Sequence, residues 1–149
     1  MRLFLTLSLT LILALPACAL AANDAPLESQ DALHTQTSAF MARVRANNIE
    51  TAYQLLRPYL GVATAPYDQS ARDAVDYFKR VTERVGQPLA SSHVRTETIG
   101  NDFYRETWLQ KFNTAAIAWS FTFYRPQDSW KLVGISHTTD IESLYHSDQ

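Results

Sequence analysis

Six side chains in the second half of the chain, His93, Arg95, Glu97, Tyr104, Glu106 and Trp108, have the types needed to orient a small molecule or to move a proton. A carboxylate beside a phenol, as Glu97 beside Tyr104, or an imidazole beside an indole, as His93 beside Trp108, shifts its pKa when an apolar pocket encloses it. General acid and base catalysis uses such shifts. Residue type and spacing alone assign none of the six a catalytic step, so the set stands as a candidate pocket lining.

For these side chains to meet, neighbouring strands must carry them on one face. From Ser91 onward apolar residues recur with period two, which predicts strands over 92–99, 103–112, 115–125 and 130–139. Gly100-Asn101, Asn113-Thr114 and Pro126 to Ser129 separate them, all turn-forming, so the strands form an antiparallel meander. A two-residue turn at Asn113-Thr114 sets Trp108 opposite Trp119, Glu106 opposite Phe121 and Tyr104 opposite Phe123. That makes one face strongly aromatic and adds Trp119 to the candidate lining.

A two-residue turn near Gly100, closing on Ile99 with Asp102 or on Gly100 with Phe103, places His93, Arg95, Glu97 and Ile99 on the same aromatic face. Burying such polar groups unpaired is costly, so they pair, reach solvent or line a cavity. The plainer expectation is an Arg95–Glu106 ion pair across the strands at an exposed edge, worth under about 1 kcal/mol. The functional one is a pocket for a small apolar or aromatic ligand. The fourth strand has two open registers, one presenting Trp130 and Leu132 to this face and the other Val133, Ile135 and His137.

Other chemistries lack their residues. His34, His93, His137 and His146 are scattered without an i, i+4 pair, so no metal site is expected. There is no G-x-S-x-G elbow, P-loop or G-x-G-x-x-G turn, glycine occurs only 4 times, and no cofactor is expected.

The helices that would cover the aromatic face lie upstream. Leu33, Thr37, Phe40, Met41 and Val44 are spaced as one helical stripe, and Ile49, Ala52, Tyr53, Leu56 and Leu60 as a second that stops at Gly61. Asn47 with Glu50 three residues on suggests a capping box at the second start. A loop through Pro66 leads to a cap pattern at Ser70 and a third helix with Ala71, Ala74, Val75, Phe78, Val81 and Val85 on one side, ended by Gly86-Gln87-Pro88. Asp140 to Tyr145 has the length for one more helical turn. The expected fold class is α+β, three N-terminal helices packed on a curved four-stranded antiparallel meander.

Arg2, the apolar run Leu3 to Leu15 and the small residues Ala17 to Ala21 read as a secretory signal peptide over 1–21, cleaved before Ala22. The run is shorter than the roughly 20 residues of a bilayer span. Leu15-Pro16-Ala17-Cys18 offers the alternative of a lipoprotein anchored at Cys18. Otherwise the product is periplasmic or secreted, with no transmembrane span in the mature chain. Residues 22–149 make a single domain whose core must hold it without disulfides, since Cys18 is the only cysteine. Losing the leader moves the formal charge only from −2 to −3, with mixed signs along the chain, which argues against a nucleic-acid footprint.

Helices followed by a meander whose later strands read Ala116-Ile-Ala-Trp-Ser-Phe-Thr-Phe-Tyr-Arg-Pro126 and Trp130-Lys-Leu-Val-Gly-Ile135 resemble the nuclear-transport-factor-like (cystatin-like, cone-shaped) α+β superfamily. The chain is similar in particular to small exported bacterial proteins of unknown function within it. The resemblance implies a cone-shaped fold over residues 30–146. It implies no single activity, because that superfamily holds isomerase-like enzymes, ligand binders and dimeric adaptors. No catalytic Tyr/Asp set of the isomerases maps onto this chain. In the commoner order an early strand precedes the third helix, and Gly61 to Pro66 is where a short one would lie. The expected function is therefore an exported, non-catalytic binding or interaction domain, with a homodimer through the sheet as one form of partner. The alternative is a small-molecule enzyme, isomerase-like or hydrolase-like, with acid/base residues in the cone pocket.

Overall fold

The computed structural model describes residues 26–145; the segment expected to be a signal peptide, with Cys18, the expected cleavage point at Ala22, and His146 lie outside them. Among the described residues, three α-helices precede a four-stranded antiparallel sheet of order β1-β2-β3-β4, an open meander. Helix α1, Gln30–Arg45, starts at Ser29, whose hydroxyl accepts the Ala32 N–H at 3.1 Å and so satisfies one donor that the first helical turn leaves free. It buries Leu33, Thr37, Phe40, Met41 and Val44, the stripe that its 3.6-residue period predicts. No helix among the described residues is long and apolar enough to cross a membrane.

The other two helices depart from the sequence expectation at their ends. Helix α2, Ile49–Leu56, stops before Leu60, and Arg57–Tyr59 continue as one 3₁₀ turn with Pro58 inside it. Pro58 has no N–H to give the α-helical ladder, which ends the helix early. Asn48, not Asn47, precedes its first residue and makes no side-chain cap; Asn47 instead takes a left-handed conformation, φ 60°, in the turn from α1. Helix α3, Thr64–Val85, begins six residues before the expected Ser70, because Pro66 sits in its first turn, where no backbone donor is needed. Ser70 hydrogen-bonds back to the Pro66 carbonyl at 3.0 Å within the helix. In place of an early strand, Leu60 makes a single parallel bridge to Leu132, and Gly61 N–H donates to the Leu132 carbonyl at 2.9 Å.

The strands are β1 (Ala90–Ile99), β2 (Phe103–Lys111), β3 (Ala116–Tyr124) and β4 (Lys131–Thr138), and a 3₁₀ turn follows at Glu142–Leu144. Between β2 and β3 the register is the expected one, with Trp108 opposite Trp119, Glu106 opposite Phe121 and Tyr104 opposite Phe123. Between β1 and β2 it is shifted by one residue. Ile99 pairs with Phe103 across the three-residue turn Gly100-Asn101-Asp102, with Gly100 at φ 54°. One residue of shift exchanges the two faces of a strand. Thr98 and Thr96 therefore lie opposite Tyr104 and Glu106, while Ile99, Glu97 and Arg95 lie opposite Phe103, Arg105 and Thr107, on the outer face.

A bulge at Val94 then restores His93 to a place opposite Trp108. A second bulge, at Val133, resolves the two registers of β4 by combining them: Leu132 opposes Phe123, and past the extra residue Ile135 opposes Phe121 and His137 opposes Trp119. The inner face meets the helices in one core. Phe78 of α3 stacks on Trp119 with ring centroids 5.0 Å apart, and Phe40 of α1 sets its edge against Trp119 and Phe121 at 5.3 and 5.0 Å. These rings and Leu33, Leu56, Phe123 and Leu132 are withdrawn from water almost completely. Each such side chain contributes on the order of 1.5–3 kcal/mol.

Candidate functional site

The strand alternation that buries Tyr104 and Trp108 also buries the residue between them, Glu106, whose exposure is 0%. A carboxylate in that position is tolerable only if its lone pairs are engaged. Four donors converge on it. The Trp108 indole Nε1–H donates to Oε2 at 3.0 Å, and the Tyr104 hydroxyl donates to Oε1 at 2.5 Å. From α1, one turn apart on the helix face turned to the sheet, the Thr37 hydroxyl donates to Oε2 and His34 Nδ1 approaches Oε1 at 2.9 Å.

The electrostatics follow from this count. Burial alone pushes the Glu106 carboxyl up, but the hydrogen bonds from Thr37, Tyr104, Trp108 and His34 outweigh it and hold the group below its ordinary value of 4.5. Burial, and then the neighbouring carboxylate, push the Tyr104 hydroxyl well above its ordinary 10.0. Glu106 is thus an anion that only accepts, and His34 Nδ1 must carry the proton between them.

His34 reaches outward from this anchor. Its side chain is 49% exposed, its ring stacks on Trp108 at 5.5 Å, and the His93 ring meets it edge-on at 5.2 Å. Thr96 Oγ1 lies 3.0 Å from His93 Nε2. The scatter of histidines along the sequence is therefore not kept in space: α1 and β1 bring two of the four together beside a buried carboxylate.

Of the candidate lining, the structure joins His93, Tyr104, Glu106 and Trp108 in this cluster and separates the other three. Arg95 and Glu97 are on the outer face, where Arg95 Nη1 lies 3.7 Å from Glu97 and its Nη2 donates to the Leu144 carbonyl at 2.5 Å. The expected Arg95–Glu106 pair does not form, since the one-residue shift of β1 puts the two groups on opposite sides of the sheet. Trp119 is a core residue, its Nε1–H donating to Gln110 Oε1 at 3.0 Å, and the buried Gln110 Nε2 has no hydrogen-bond partner among the described residues.

Sequence reading missed His34 and Thr37 as members. Their spacing on the inward face of α1 was visible, but nothing in it pointed to a glutamate 69 residues beyond Thr37. Clefts open elsewhere, among them one of about 570 Å³ between α2 and α3, beside the Arg57–Asp68 ion pair, and a smaller one of about 270 Å³ on the outer sheet face among Val94, Arg95, Leu109, Ile141, Leu144 and Tyr145. No family model, curated protein or solved structure matches the chain.

Proposed function

We propose that the protein is a small exported domain of the cone-shaped, nuclear-transport-factor-like kind whose work is binding rather than catalysis, and that the outer face of its sheet docks a second copy of the chain. One observation carries this reading. Ile99, Phe103 and Tyr124 form an apolar row across three adjacent strands, 73%, 36% and 38% exposed, with the last two rings stacked at 4.9 Å. Such a row on an open face costs solubility unless something covers it.

Among the described residues, the C-terminal segment reaches the other end of that face, where Arg95 holds Leu144. Between the two ends Glu97 and Arg105 sit opposite each other, so the surface carries both signs and suits a two-fold self-association in which each copy offers the same patch. The enzymatic alternative has weaker support. A general acid or base must reach its substrate, whereas Glu106 is enclosed and its oxygens are occupied by four donors.

Sedimentation velocity across a concentration series tests the reading. The wild-type chain is expected to approach twice the monomer mass as concentration rises, and Ile99→Asp and Phe103→Asp to remain monomeric with unchanged melting. A wild-type protein that stays monomeric at the highest attainable concentration would refute it.

A further inference from the structure

We infer that His34 and His93 form a binding site for one divalent late-transition-metal ion, of the class of Cu²⁺ or Zn²⁺, at the outer end of the Glu106 cluster. The two imidazole rings meet edge-on with centroids 5.2 Å apart, beside the Glu106 carboxylate. Imidazole nitrogen suits this class of ion better than it suits Mg²⁺ or Ca²⁺.

What distinguishes the pair from two surface histidines is the group behind each ring. Metal-binding histidines donate their other N–H to a carboxylate or another oxygen, which fixes tautomer and orientation and raises the basicity of the ligating nitrogen. Glu106 does this for His34, since its Oε1 lies 2.9 Å from Nδ1 and accepts there, which leaves Nε2 with its lone pair. Thr96 is placed to do it for His93, its hydroxyl oxygen accepting at Nε2 and leaving Nδ1. Trp108, in ring contact with both, holds the planes so that the entropy of ordering two surface side chains is already lost in the folded chain.

Glu106 itself stays outside the coordination sphere, because moving an oxygen to the ion would abandon a hydrogen bond in a fully buried place. Water fills the remaining positions on the exposed side. This site is on the helix side of β1 and β2, so it is independent of the outer face proposed for self-association.

The test uses the purified exported chain, stripped with a chelator and titrated with Cu²⁺ alone and with Zn²⁺ alone by calorimetry. One equivalent of saturable binding is expected. His34→Ala and His93→Ala, both at exposed positions, should each weaken it by at least about tenfold, and His146→Ala should leave it unchanged. Electron paramagnetic resonance of the Cu²⁺ form should show coupling to two imidazole nitrogens in the wild type and to one in either variant. Absence of saturable binding, or binding lost in His146→Ala and retained in the other two, would overturn the assignment.

Discussion

At the scale of single residues, Glu106 organises the inner face more than any apolar side chain does, because four donors from two elements end on it. Glu106→Gln keeps the shape but brings an NH₂ group against donors that need acceptors. It is expected to destabilise the chain by about 2 kcal/mol at neutral pH, and Thr37→Val by about 1–3 kcal/mol, in urea denaturation. The wild-type carboxyl titrates below its ordinary 4.5 in the folded chain. Its stabilisation is therefore complete above that value and is lost as pH falls through the folded value, so Glu106→Gln should also flatten the acid limb. An acid limb of unchanged steepness in that variant would count against the ionised hub. Tyr104, Glu106 and Trp108 were legible as a set from alternation alone. Their role was not, since it depends on what α1 sets against them.

Among the elements, the bulges and the ends of helices were the least legible. A bulge adds one residue without changing composition, so Val94 and Val133 look like ordinary strand residues in sequence, yet they decide which face His93, Ile135 and His137 occupy. The helix side of the sheet edge is tied at Gly61, where a Cβ would lie 2.7 Å from Lys131 Cβ and 3.3 Å from Val133 Cγ1. Lys131 Cβ is fixed to the β4 backbone and cannot swing aside. Gly61→Ala should therefore part Leu60 from Leu132, cost about 1–3 kcal/mol in denaturant titration, and expose the Gly61 amide to faster hydrogen exchange. Wild-type stability and exchange in that variant would show that the two segments are not in close contact.

For the whole molecule, acid sensitivity has two separable sources. His137 is half-buried between Tyr77, Phe78 and Trp119, with centroids 4.9, 5.0 and 5.1 Å away, and burial lowers its pKa below the ordinary 6.5. The unfolded chain takes up that proton first. Stability from this ring is complete above pH 6.5 and declines as pH falls towards the folded value. The decline precedes that of Glu106, which begins only below about pH 4.5. His137→Phe keeps a ring in the place and should abolish the first decline while leaving the second, as read from denaturation midpoints across the acid range. An undiminished first decline in that variant would assign it to another group.

The sequence by itself determined the α+β class, the order of helices before strands, the buried stripe of α1 and the pairing of β2 with β3. These follow from periodicity and a tight turn, which are local properties of the chain. Tertiary structure alone decided which polar residues meet. A three-residue turn instead of a two-residue one sent Arg95 and Glu97 to the outer face, a bulge returned His93, and the docking of α1 on β2 brought His34 and Thr37 to Glu106. Each is a shift of one residue, or a contact across roughly half the chain, and hydrophobic patterning is nearly blind to both: it reports that a face is buried, not which partner on it accepts a proton or gives one.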